Sequence, residues 1–123
     1  MTRSPDPRRA HRTLRDDAGA GAVLAIALVM AVVVVGITGV TLAAAVTARQ
    51  RVIGAADLAA LAAADAASGA IGGVPCRVAD GVARANGARL AGCDTDGLVV
   101  TVTVIGGFAG IPIQARSTAG PPG

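Results

Sequence analysis

The sequence predicts an α+β chain: a long apolar N-terminal helix runs into an amphipathic one, and a short helix then leads to a small antiparallel sheet of two or three strands. Three observations carry this expectation. The run Ala18–Ala48 has no charged side chain and is almost entirely Ala, Val, Leu, Ile and Gly. Residues 49–68 keep the helical period but acquire a polar side. From Leu98 to Ile105 the period falls to two, with β-branched residues at nearly every position.

The 123 residues suffice for one small domain beside this helix. Five segments are expected: a basic tail (1–17), the apolar helix (18–48), its amphipathic extension (49–71), a small α+β domain (72–117) and a disordered tail (118–123). A bilayer's hydrocarbon takes only about 20 apolar residues. The run from Ala18 to Ala48 would extend roughly 46 Å as a helix, more than that core needs. It therefore reads as a single membrane span whose surplus tilts or projects beyond the lipid.

Orientation follows from charge. Arg3, Arg8, Arg9, Arg12 and Arg15 precede the run, whereas only Arg49 and Arg51 follow it closely. The positive-inside rule then keeps the N-terminus cytoplasmic and puts residues 49–123 outside the cytoplasmic (inner) membrane. Asp16 and Asp17 are expected to cap the helix start. The small residues Ala43-Ala44-Ala45 and Val46-Thr47-Ala48 resemble signal-peptidase sites, but the apolar run is far longer than a 7–15-residue signal core and favours an uncleaved anchor. The pair Arg8-Arg9 lies too far from that run for a twin-arginine signal.

Past the anchor, Gln50, Gly54, Asp57, Asp65 and Ser68 share one helical side, while Val52, Ala55, Ala56, Ala59, Ala63 and Ala66 line another. Ser68-Gly69 and Gly72-Gly73 end this helix. Pro75 opens the second helix. Its Arg77, Asp80 and Arg84 make a charged face, its Val78, Val82 and Ala85 an apolar one, and Asn86-Gly87 the stop. Ala88–Cys93 is a candidate strand, followed by the turn Asp94–Gly97, the strand Leu98–Ile105, a turn bracketed by Gly106-Gly107 and Gly110, and a third strand over Ile111–Ser117. Pro112 confines that third strand to an edge or to its own beginning.

Cys76 and Cys93 are the only cysteines, and both fall on the exported side, where two thiols most simply form a disulfide. A helix carried through to Ala91 would hold them more than about 20 Å apart. A stop at Asn86-Gly87 allows an extended return, so the bridge and the early stop support each other.

No cofactor or metal site is expected. The single histidine, His11, lies in the tail, and no His, Cys or Lys on the exported side can activate a Ser or Thr nucleophile, so the chain reads as non-enzymatic. Asp94 and Asp96 before Gly97 match part of a calcium loop without its later ligands, which leaves a turn. A pI near 10.1 raises nucleic-acid binding. However, the tail carries five Arg against three Asp and residues 49–123 six against five, with a single aromatic residue in the chain, so no basic face with interleaved aromatics exists.

A basic tail, an apolar helix running into an amphipathic one and a disulfide-linked β-domain make a pilin-like plan. The chain resembles the TadE-like proteins of tight-adherence (Flp) pilus systems, closest to the actinobacterial helicase/secretion neighbourhood TadE-like family. The resemblance rests on Asp17-Ala18-Gly19-Ala20-Gly21, on Ala55-Ala56-Asp57-Leu58-Ala59-Ala60-Leu61-Ala62-Ala63-Ala64, and on Cys76. It continues through Val82-Ala83, Ala85-Asn86-Gly87-Ala88, Leu90, Cys93 and Val100-Thr101-Val102, covering roughly residues 16–116 in order. It implies a minor pseudopilin or pilus-assembly component working with a secretion ATPase, other pilin-like subunits and inner-membrane platform proteins. It also implies processing at Gly19 or Gly21. There the residues depart from the prepilin pattern, with Leu24 or Ile26 where prepilins carry Glu, and they point to an uncleaved anchor. The competing expectation is a single-pass membrane protein whose small extracellular binding domain is unrelated to pili.

Overall fold

In a computed structural model the chain forms two helices followed by three strands: α1 (Pro7–Ala67), α2 (Pro75–Ala85), β1 (Arg89–Asp96), β2 (Val99–Phe108) and β3 (Ile111–Ala119). The structure describes Thr2 and residues 7–122, with side chains over 17–122. Arg3 lies outside the described residues, and so do the side chains of Arg8, Arg9, Arg12, Arg15 and His11.

Two compact units divide the chain, residues 1–42 and 43–123. In the first, α1 begins at Pro7, well ahead of the Ala18 start expected from hydropathy. Proline is tolerated in a first helical turn, and no breaker follows it before the apolar run. Asp16 and Asp17 consequently lie inside the helix and do not cap it. From Asp17 onward the helix is long and apolar enough to cross a membrane. Its side chains are exposed all round, Val23 at 69% and Val40 at 71% among them. The hydroxyls of Thr38 and Thr41 donate to carbonyls one turn back, at 2.8 Å to Val34 O and 2.9 Å to Thr38 O. That internal pairing removes the cost of placing a hydroxyl in an apolar run.

In the second unit, the end of α1 and all of α2 pack on one face of an antiparallel sheet ordered β1-β2-β3. The expected apolar helix side is the buried one: Val52, Ala55, Ala56, Ala59, Ala63 and Ala66, joined by Ala60. They meet Val100, Val102 and Val104, which alternate along β2 and are fully buried. The register brings Leu90, Cys93 and Thr95 of β1 and Ala115, Ser117 and Ala119 of β3 to that same face. Thr101, Thr103 and Ile105 stand on the opposite face, where the Thr101 and Thr118 hydroxyls hydrogen-bond across strands at 2.8 Å.

Both helices end as their glycines dictate. Gly69 and Gly87 have φ of 78° and 73°, and each follows a paired set of C-terminal bonds. After α1 these are Gly69 N–H to Ala66 O and Ala70 N–H to Asp65 O. After α2 they are Gly87 N–H to Arg84 O and Ala88 N–H to Ala83 O. This is the Schellman closure, which satisfies carbonyls the helix leaves open. On α2 the buried positions are Ala79 and Ala83, flanked by Val78 and Val82, while Ala85 is exposed and leaves the expected apolar face.

The strands are longer than expected. β1 runs on to Asp96, and β2 continues through Gly106 and Gly107 to Phe108. The second turn is therefore Ala109-Gly110, between the paired residues Phe108 and Ile111. Both turn residues have positive φ, 49° and 79°, as a two-residue hairpin of type I′ requires. For Ala109 this costs about 1–2 kcal/mol. Thr118 and Ala119, expected in the disordered tail, pair with Thr101 and Val100 as the end of β3. Pro112 sits second in β3, on the sheet edge, as its missing N–H demands.

Pairing with Ile113 holds Gly106 in β2, and packing requires that it be glycine. A Cβ there would overlap Val52 Cγ2 on α1, whereas at Gly107 the nearest atom, Ile111 O, is 3.6 Å away. Gly106→Ala is accordingly expected to lower unfolding free energy by about 1–3 kcal/mol, the usual cost of overpacking. Chemical denaturation should show Gly107→Ala much closer to the parent.

Candidate functional site

The sequence-predicted pair Cys76 and Cys93 is joined in a disulfide with a Cα–Cα distance of 5.8 Å. Pro75 starts α2 so that Cys76 lies in its first turn, and the Gly87 closure turns the chain back into β1. A bulge at Ala91 then shifts the register between Leu90 and Gly92, which brings Cys93 opposite Val102 on the core face. Beside the bridge, Cys76 Sγ lies 3.8 Å from the Thr95 hydroxyl.

The other carboxylates singled out from the sequence do not converge. Asp57 and Asp65 are exposed on α1, and Asp80 pairs with Arg84 one turn on at 2.9 Å. That pair is largely solvated and contributes only a few tenths of a kcal/mol, ~0.3–0.5 for such a spacing. Asp94 and Asp96 project from β1 opposite Thr101 and Val99, exposed on the sheet's outer side. No group of three or more metal-binding side chains occurs among the described residues. Gly19 and Gly21 lie mid-helix with open space around them, and Leu24 and Ile26 are exposed at 63% and 64%.

Within residues 43–123 the two ends of the packed unit differ in chemistry. At the end where the chain enters from residue 42, a groove of about 440 Å³ lies between α1, the close of α2 and the tip of the β2–β3 hairpin. Ala44, Thr47, Ala48 and Arg51 line one wall, Asn86, Gly87 and Phe108 the other. Arg89, opposite Ile105, lines a second concavity at the same end that extends to Ile111 and Pro112. At the opposite end Asp65 and Ser68 of α1 face Leu98 and Gly120, and Asp96 lies there at the end of β1. Residue order alone hides this polarity: Phe108 comes to Arg51, and Arg89 to the same end, only through the fold.

No family model matches the chain, and no curated protein or solved structure matches it either.

The disulfide closes a loop with a sequence separation of 17. In the chain-entropy account a loop of this size contributes about 3 kcal/mol. Cys76→Ser should lower the stability of the unit formed by residues 43–123 by a few kcal/mol, read by denaturant titration. Alkylating reagents should label both thiols of the parent only after denaturation and reduction. Labelling of native, thiol-trapped protein would contradict the bridge.

Proposed function

We propose that this chain is a non-enzymatic, TadE-like component of a Flp/tight-adherence pilus or secretion apparatus, anchored in the inner membrane with residues 49–123 outside. The reading rests on the order of parts along one chain. An apolar helix fit to cross a membrane passes without a break into an Ala-faced segment, and that segment carries a disulfide-linked three-stranded sheet. A pilin-like subunit has this plan, in which the helix serves as anchor or assembly element and the small domain as the exposed part. Its partners on this reading are the bilayer, other pilin-like subunits and inner-membrane platform proteins.

The absence of a carboxylate at Leu24 and Ile26 supports a resident anchor. In prepilins that carboxylate gives the helix a polar reason to dock against a neighbouring subunit, because a charge in hydrocarbon needs a partner. Intact mass of membrane-extracted protein should therefore show the unprocessed chain as the main species. A dominant species beginning at Ala20 or Ala22 would overturn this.

Affinity purification from membranes followed by mass spectrometry tests the assignment itself. Recovery of a secretion ATPase, platform proteins or pilin-like chains is expected. Their absence from efficiently solubilised protein would favour a single-pass protein with an unrelated extracellular binding domain. For orientation, a reporter active only outside the cytoplasm should be active when fused after Gly123.

A further inference from the structure

The β2–β3 hairpin tip presents an uncharged stretch, Ile105 to Ile113, holding the only aromatic residue of the chain, Phe108. Ile111 at its apex is 64% exposed although it is a large aliphatic side chain. The tip is level with the last residues of the uncharged helix run. Gly106 abuts Val52, and Phe108 shares a groove with Ala44, Thr47 and Ala48. Two strand residues beyond Gly106 advance about 7 Å, and four helical residues back from Val52 retreat about 6 Å, so the two advance together.

Of the six arginines of this unit, three lie toward the tip; Arg77 and Arg84 are on α2 and Arg116 is opposite Thr103 in the sheet. Arg51 lines the groove, Arg49 stands exposed on α1 two residues before it, and Arg89 pairs with Ile105 on the outer face of the sheet, lining a concavity that extends to Ile111 and Pro112. The carboxylates Asp65, Asp94 and Asp96 lie toward the other end, Asp80 is occupied by Arg84, and Asp57 stands beyond Arg51 on α1.

An apolar apex with arginines at the same end of the unit, level with the end of an apolar helix, has the chemistry of a surface that enters the headgroup layer of an anionic bilayer. We propose that the β2–β3 hairpin tip is an interfacial membrane contact: Phe108 and Ile111 insert among lipid headgroups while Arg49, Arg51 and Arg89 meet lipid phosphates. The proposal rests on the reading of α1 as a membrane anchor. Because the tip is tethered beside that anchor, even weak lipid contacts are engaged at high effective concentration. The contact also fixes which part of the overlong run lies in hydrocarbon. The lipid boundary falls near Ala44–Ala48, and the surplus is taken up by tilt or at the Ala18 end.

The chain contains no tryptophan, so one introduced residue reports alone. Ile111→Trp, Leu98→Trp at the opposite end and Val33→Trp in the apolar run would be placed in the full chain. Each is reconstituted in phosphatidylcholine–phosphatidylglycerol vesicles containing bromine-labelled lipid. The expected result is blue-shifted, strongly quenched emission for Ile111→Trp and Val33→Trp, with Leu98→Trp several-fold less quenched. Phe108→Trp gives an independent probe of the same apex should the Ile111 variant fail to form the Cys76–Cys93 bridge. If both tip probes behave like Leu98→Trp while Val33→Trp is quenched, the anchor stands and the interfacial contact is refuted. If Val33→Trp is also unquenched, both readings fall. Combining Arg49→Gln, Arg51→Gln and Arg89→Gln with a tip probe should abolish the extra quenching gained on adding phosphatidylglycerol to phosphatidylcholine vesicles. Its persistence would remove the phosphate contacts from the proposal.

Discussion

The packed unit of residues 43–123 depends on the contact between a helix face made almost wholly of alanine and a strand face made of valine. Val52, Ala55, Ala56, Ala59, Ala60, Ala63 and Ala66 present little more than methyl groups to Val100, Val102 and Val104. Small side chains let the helix backbone lie close to the sheet, and the β-branched valines stand rigidly from the pleat to meet it. At Gly106 the approach becomes tightest, with Val52 occupying the volume a Cβ would need. The helix therefore has one azimuth in which it fits. A rotation of one residue would replace alanines with Asp57, Leu58 or Asp65, which are exposed in the observed packing.

Such a core is shallow. Its largest fully buried side chains are the three valines, and burying each contributes about 1.5–3 kcal/mol. The disulfide, at about 3 kcal/mol by chain entropy, weighs as much as one of them. It also joins two elements that the core contacts alone hold lightly, because α2 buries only Ala79 and Ala83 fully. The early stop at Gly87, the bulge at Ala91 and the Cys76–Cys93 bridge thus form one device, each making the geometry of the others available.

Much of this was legible in the residues. The apolar helix side, the stops at Gly69 and Gly87, the start at Pro75 and the cysteine pairing all follow from local rules that tertiary structure did not override. The misses have physical causes. Helix propensity carries α1 back to Pro7, past the point where hydropathy changes, because arginine and alanine suit a helix whether or not lipid surrounds it. Gly106 and Gly107 look like turn residues, yet pairing with Ile113 and Pro112 holds them in β2 while the turn falls on Ala109. That assignment needs the partner strand and cannot be read locally. Thr118 and Ala119 join β3 because β2 is long enough to pair with them. The gathering of Arg51, Arg89 and Phe108 at one end arises from register and has no signature in sequence spacing.

The apolar part of α1 and the packed unit follow different rules. Thr38 and Thr41 satisfy their hydroxyls within the helix, and no ionised group lies between Asp17 and Arg49. On the proposed membrane reading, nothing on this segment demands a polar partner at a particular depth. What remains for helix–helix contact is the small-residue spacing of Gly21/Ala25, Ala27/Ala31 and Gly39/Ala43, where close backbone approach gains van der Waals contact. Packing of that kind repeats along the helix and defines register weakly. On that reading depth and rotation are fixed where the chain becomes specific again, at Arg49 and Arg51 and at the buried face that begins with Val52 and Ala55. The azimuth imposed there by the sheet passes into the end of the apolar run through the continuous backbone of residues 43–55, which lie in one compact unit.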